Sequence, residues 1–261
     1  MNPYLTHLQK IEFVVTDACT GKCKHCSQGA HSAVGISIDP TVAANAVCRV
    51  AEVYEIQTVM TFGGEPLLCP DAVCAIHSAA RELGIPHRQV ITGGYFSKKP
   101  AQIAKMARRL ADAGVNDLRL SVDAFHQETI SVETVLDFAK ALLEAGVPVR
   151  TQPAWLVSAE DDNPYNRKTK ALLSLFAEQG ILACDGNLIF PEGNAKHYLA
   201  DYFTDSAPEN PYVEDPYDLY CLSVSPNGDC DGIDGNLYQD DLLLLLEQYR
   251  PKEEQAKEAS V

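Results

Sequence analysis

The chain has 261 residues, is 46% hydrophobic and carries a formal charge of −15 with 9 cysteines. That length and apolar content suffice for one large core of the α/β-barrel type. The acidity excludes a nucleic-acid backbone as partner, since the short basic runs RRL, SKK and KHYL are isolated and nothing offsets phosphate repulsion. No apolar run nears the ~20 residues that span a bilayer, and MNPYLTHLQK at the start lacks the apolar core of a signal peptide. The expectation is a cytoplasmic protein with no membrane partner. Thiols stay reduced there, and an odd number of cysteines reads as metal binding plus buried free thiols rather than a disulfide framework.

In chain order, IEFVVT (11–16) reads as a first strand, and Asp39-Pro40 then caps a helix carrying Ala43, Ala46, Val47, Val50 and Tyr54 on one face. Further strands are expected at TVMTF (58–62), RQVIT (88–92), DLRLSV (117–122), VPVRTQ (147–152) and CDGNLIF (184–190). Helical patterns between them end in a glycine followed by a β-branched residue at Gly84, Gly114, Gly146 and Gly180, where the glycine suits the left-handed position past the last turn. A helix over Val132 to Leu143 is capped by Ser131. The spacing of slightly over 30 residues is one strand plus one helix. Six such units predict an α/β protein with a parallel sheet, a partial (β/α)6 TIM-like barrel; a doubly wound sheet is the alternative. Residues 1–200 would form this core. Residues 201–250 would form an extension, comprising a Pro/Asp/Tyr-rich lid-like loop (202–220), a hairpin around Pro226-Asn227-Gly228 and a helix over 240–249; 251–261 reads as a charged tail.

Ligand chemistry in such sheets sits at the C-terminal strand ends. Directly after the first strand comes Cys19-x3-Cys23-x2-Cys26, and directly after the second comes Gly63-Gly64-Glu65-Pro66. Three thiolates this close can converge on one inorganic group while leaving a coordination position open. On the fourth strand Leu118, Leu120 and Val122 alternate with Arg119, Ser121 and Asp123, so that one face is apolar and the other lines a polar lumen.

The cysteine run, GGEP and the six-unit count together resemble the radical S-adenosylmethionine (SAM) superfamily, over roughly residues 10–190. The resemblance implies that Cys19, Cys23 and Cys26 hold a [4Fe–4S] cluster whose fourth iron chelates SAM. It implies SAM contacts from Gly63, Gly64, Glu65 and Pro66 and from Ser121, and a stacking role near adenine for His25. Asp123 and His126, at the strand end, are candidates for substrate or ribose contact, and Arg150 for the SAM carboxylate. An external electron donor of the flavodoxin or ferredoxin type is implied as partner. A Cys3His zinc site using His31 is the rival reading of the cysteine run.

CLSVSPNGDC (221–230) is faintly similar to the start of the SPASM and twitch extensions, which carry auxiliary iron–sulfur clusters. Cys184, Cys221 and Cys230 are the only thiols placed for one. Cys221 and Cys230 are equally candidates for a hydrogen-donating thiol, or for buried free cysteines like Cys48, Cys69 and Cys74. The functional expectation is radical chemistry on a peptide or protein side chain. The alternatives are a small-molecule substrate, activation of a glycyl-radical enzyme, and a non-enzymatic iron–sulfur or zinc protein.

Overall fold

The computed structural model describes residues 2–203 and 207–254; the tail from 255 lies outside the described residues. Five strand–helix units follow one another: β1 (Lys10–Val14), α1 (Pro40–Ala51), β2 (Thr58–Phe62), α2 (Pro70–Glu82), β3 (His87–Thr92), α3 (Pro100–Ala113), β4 (Asp117–Ser121), α4 (Val132–Glu144), β5 (Val149–Gln152) and α5 (Pro164–Ala177). Strands β1 to β5 pair in sequence order, all parallel. Their outward residues, Ile11, Phe13, Val59, Val90, Leu118 and Leu120, are fully buried against Val47, Ile76, Ala107, Leu110, Phe138 and Leu142 of the helices. Each such large side chain contributes about 2 kcal/mol relative to exposure. Local signals act where the sequence places them. Asp39 accepts from Thr41 and Val42 N–H at the start of α1, and Ser131 accepts from Thr134 N–H in α4.

The sixth strand differs from its expected 184–190 span. Hydrogen bonds do continue outward from β5: Thr151 N–H donates to Leu182 O (3.0 Å), and Cys184 N–H donates to Thr151 O (2.8 Å). Only a short parallel pair follows, β6 (Ala154–Trp155) with β7 (Asn187–Leu188). Pro153 supplies the break on one side, having no N–H to donate. Opposite it Gly186 sits at φ +84°, where a Cβ would lie 2.4 Å from Pro153 O.

A helical turn, α6 (Gly193–Tyr198), leads into the 202–220 segment, after which come β8 (Cys221–Val224), β9 (Asp229–Cys230), β10 (Ile233–Asn236) and α7 (Leu242–Gln248). The hairpin forms as expected, with Gly228 N–H closing on Ser225 O (2.9 Å). The sequence did not announce that β8 docks parallel to β1, Lys10 opposite Cys221 and Phe13 opposite Val224. The extension thereby lengthens the main sheet to β10-β9-β8-β1-β2-β3-β4-β5. The sheet is not closed. Among the described residues no helix is long and apolar enough to cross a membrane, and all nine cysteines are free.

Candidate functional site

The C-terminal ends of the strands surround a cavity of ≈ 1120 Å³. Its head is the cysteine loop after β1. Cys19, Cys23 and Cys26 all line it, with Cys23 buried and the other two half-buried. Gly21 lets two of the thiols close over the chain: a Cβ there would stand 3.2 Å from Cys23 Sγ and 3.7 Å from Cys19 Sγ. Burial pushes the Cys19 thiol up to about 11 and raises Cys26 as well. Thiols in that environment lose their protons to a cation rather than to water.

The glycine turn after β2 is stitched to the same loop. Gly64 N–H donates to Thr16 O and Glu65 N–H to Ala18 O, both at 2.7 Å. A Cβ on Gly64 would fall 2.1 Å from Ala18 O, so only glycine permits this approach. Glu65 is 1% exposed and lines the cavity. Its Oε1 accepts from Thr92 Oγ1 (2.6 Å) and Leu67 N–H (3.0 Å), and burial nevertheless raises its pKa. A buried carboxyl with neutral donors only is suited to meet an ammonium group entering the cavity.

At the end of β4 the expected residues separate. Ser121 and His126 line the cavity. Asp123 does not: it is fully buried, its Oδ1 accepting from Phe125 N–H (3.0 Å) and His126 N–H (2.9 Å) and its Oδ2 from Ala154 N–H (3.2 Å). The same Oδ2 pairs with His126 Nδ1 at 2.8 Å. The carboxylate is consumed in turning the chain, so it has no atom left for a ligand. Burial alone would raise Asp123, yet the His126 and His25 rings hold it far below its ordinary value. Burial likewise opposes a charge on His126, and Asp123 with Cys23 outweighs it, raising that histidine well above 6.5.

His25 packs against Phe125 (5.0 Å between ring centres) and His126 (4.7 Å), and burial lowers its pKa to about 4. Its Nδ1 is buried with no hydrogen-bond partner, the one orphaned polar atom on the cysteine loop. Arg150 does not line the cavity: it pairs with Asp117 Oδ1 (2.9 Å), and Arg119 pairs with the same carboxylate. That carboxylate sits at the start of β4, so both cations are held toward the end of the sheet remote from the glycine turn.

The three thiols named for an auxiliary cluster sit on separate elements. Cys221 opens β8 beside Lys10, Cys230 lies opposite the last residue of β8, and Cys184 lies beyond β5. Cys184 and Cys221 thus lie beside opposite ends of the five-strand run β1–β5. Cys221 does not line the cavity; Cys230 does, its thiol pushed up to about 11 by burial.

The zinc reading fares no better. His31 Nε2 does reach Cys26 Sγ (3.4 Å). A single zinc needs its sulfurs about 3.8 Å apart, from Zn–S bonds near 2.3 Å, and these four donors do not fall within 4.8 Å of one another as a set. The set that does is Cys23, His25 and His126. Three more widely set thiols on one loop suit a multi-iron cluster, each on its own iron.

Other contributors carried no local signal. Asn194 Nδ2 donates to Cys23 O (3.0 Å) and its N–H to Cys26 O (2.8 Å), while Gly193 approaches so closely that a Cβ would lie 2.3 Å from Ser27 O. Glu12, Met60, Phe62 and Ser223 line the lumen, and Asn187, Asn210 and Tyr212 line the open side.

With this geometry in place, the comparisons with known proteins agree with it. L-lysine 2,3-aminomutase of Bacillus subtilis is 24% identical over 64% of this chain and 36% of that protein. GTP 3',8-cyclase of Vibrio parahaemolyticus serotype O3:K6 is 31% identical over 44% of this chain and 35% of that one. The chain thus spans about a third of the length of the curated relatives it matches. Among solved structures, native anSMEcpe with bound AdoMet superposes with a TM-score of 0.60 at 13% identity, covering 94% of this chain and 82% of that one. SuiB of Streptococcus suis bound to S-adenosylmethionine gives 0.60 at 16%, covering 94% and 66%. Both show the same fold, the partial barrel. The family model for the radical SAM superfamily matches residues 13–165, more than half of the chain and the segment that carries both motifs, and the chain belongs to that superfamily.

Proposed function

We propose that this protein is an enzyme that cleaves SAM reductively and turns the resulting radical on a peptide or protein side chain. The observation that carries the reading is the meeting of three thiols and the buried, cation-seeking Glu65 on one cavity wall. Superfamily membership implies a [4Fe–4S] cluster and SAM, and the residues fit both: Cys19, Cys23 and Cys26 would hold the cluster, Glu65 and the Gly63-Gly64 turn the amino-acid end of SAM. The chemistry such a cluster supplies when bound is one-electron cleavage of SAM, leaving a 5′-deoxyadenosyl radical able to take hydrogen from carbon. The chain does the rest. Gly64 allows close approach of backbone to ligand, and Ser121 and His126 offer polar contacts at the end of β4. Val14, Met60, Phe62 and Ile91 line the lumen with apolar surface that excludes water around a reactive species.

A peptide substrate is supported by the open side of the sheet, where Asn187, Asn210 and Tyr212 offer hydrogen-bonding groups to an extended chain. A fold relative, native anSMEcpe with bound AdoMet and Cp18Cys peptide (TM-score 0.59), supports it further. A small-molecule substrate is the second reading, favoured by the relatives named for GTP cyclisation and for L-lysine. The electron comes from an external donor, and the free cysteines suit the reducing cytoplasm. Anaerobic reconstitution, reduction with dithionite and addition of SAM should release 5′-deoxyadenosine. A protein that holds the cluster and releases none would overturn the reading.

A further inference from the structure

We propose that the outer rim of the cysteine loop, with Lys22, Lys98 and Lys99, is the docking surface for an acidic one-electron carrier protein of the flavodoxin type. This rests on the SAM-cleaving reading, which calls for an electron from outside the chain.

Charge is distributed unevenly. No Asp or Glu occurs between Asp17 and Asp39 or between Glu82 and Asp112, although the chain has 36 of them. Those two segments carry Lys22, Lys24, Arg88, Lys98, Lys99, Lys105, Arg108 and Arg109, eight of the 21 cations. Far apart in sequence, they meet in space: Thr20 Oγ1, inside the cysteine run, donates to Tyr95 O (2.7 Å) in the β3–α3 loop. Direction then selects which cations matter. Arg88 starts β3 and is spent on Gly114 O (2.6 Å), and Arg109 ends α3 and pairs with Asp71, both remote from the cysteines. Lys98 and Lys99 sit in the loop after β3, at the cysteine end; Lys98 lies over the Tyr95 ring (5.7 Å). Lys22 lies between the first two cysteines. All three are exposed and, among the described residues, form no ion pair, whereas Lys24 is engaged by Glu128 (3.2 Å).

The extension is the opposite case: residues 201–254 hold 14 carboxylates against Arg250 and Lys252. A chain of −15 and an acidic carrier repel as whole bodies. At physiological salt that repulsion fades over about 8 Å, so contact orientation is set by local patches, and carboxylate-rich faces reject the carrier. The rim, where the one nearby carboxylate, Glu128, is already taken by Lys24, accepts it beside the cysteine loop. The transfer is of one electron, from the reduced carrier to the group held by Cys19, Cys23 and Cys26. The carrier leaves one-electron oxidised, and no atom changes hands.

The test uses the reconstituted holoenzyme titrated with oxidised flavodoxin by calorimetry at low and at physiological salt. Lys98→Glu/Lys99→Glu should weaken binding about tenfold or more, and Lys22→Gln by a smaller factor, with the wild-type affinity falling as salt rises. Lys168→Glu/Lys170→Glu on the exposed face of α5 should leave binding unchanged. Equal affinity for wild type and the Lys98/Lys99 variant overturns the proposal. So does an equal loss in the α5 variant, or a rim that binds single-stranded RNA and no carrier. Dithionite-driven release of 5′-deoxyadenosine should be the same in wild type and the Lys98/Lys99 variant. Its absence from both would refute the proposed function, while the binding data would still judge the docking surface.

Discussion

The two flanks of the sheet are built differently. On the β1–β4 flank, strands run in sequence order, apolar residues meet the helices, and each strand end delivers one element of the cysteine-lined site. On the closing flank, the sixth strand is broken at Pro153 and Gly186, β8 returns to the far side of β1, and the cavity wall is polar and partly open. Where the reaction's shared machinery sits, packing and hydrogen bonds over-determine each position. On the closing side the strand pairing is short, and irregular loops with side-chain hydrogen bonds take its place.

The largest expected effect sets the thiols of one flank against those of the other. Replacing Cys19, Cys23 and Cys26 together by Ala should take iron content from about four per chain to none. Replacing Cys184, Cys221 and Cys230 should leave it unchanged; iron retained by the first variant would erase the distinction.

A matched pair of glycines comes next. Gly64→Ala forces a Cβ to 2.1 Å from Ala18 O, whereas Gly232→Ala meets nothing within 4 Å and bears only its left-handed φ of +71°. Urea unfolding should show losses of about 3 kcal/mol or more and about 1 kcal/mol respectively. Equal losses would mean that the glycine turn is no tighter than an ordinary loop.

A third test is by pH. His77, beneath β2 on the regular flank, is fully buried with Nε2 against Thr61 Oγ1 (2.9 Å), and burial, aided by Arg88, lowers its pKa to about 3. The unfolded chain binds that proton below about pH 6.5 and the folded chain does not, so stability falls on acidification through this window. Between pH 6.5 and 5 the His77 share is about 2 kcal/mol. His77→Gln should flatten the denaturation profile by that amount, and an unchanged slope would place the titration elsewhere. The smallest effect belongs to the exposed pair that links the flanks' outer helices, Arg49 with Asp241 (3.8 Å). Arg49→Gln should cost about 0.3 kcal/mol, barely moving the melting temperature.

This contrast also explains what the sequence makes legible. Asp39-Pro40, Ser131 and the glycines past each helix act on neighbours a few residues away, so helix ends are readable. The cysteine run and GGEP are equally local, and their meeting follows from strand order alone. Asn194 acts on Cys23 across 171 positions and leaves no period or spacing to read. Alternation on β4 correctly turns Ser121 inward, but it cannot foresee that Asp123, past the strand's end, is taken up by the N–H groups of Phe125 and His126. Nor does it reveal that Arg150 finds Asp117. Lys22 and the SKK run, far apart along the chain, are brought together by the Thr20–Tyr95 hydrogen bond.

The clamp of Gly193 and Asn194 on the cysteine loop bears on the timing of biosynthesis. The loop is encoded near the start of the chain, yet the groups that hold Cys23 O and Cys26 O are made some 170 residues later. A nascent chain therefore has the braces on Ala18, Thr20 and Lys22 from Glu65, Tyr95 and Thr129 well before the clamp on Cys23 O and Cys26 O. The late segment adds the two hydrogen bonds at the Cys23 and Cys26 end of the loop, where the earlier braces do not reach. The frame around the three thiols is thus complete only when the core, as far as Asn194, has been made.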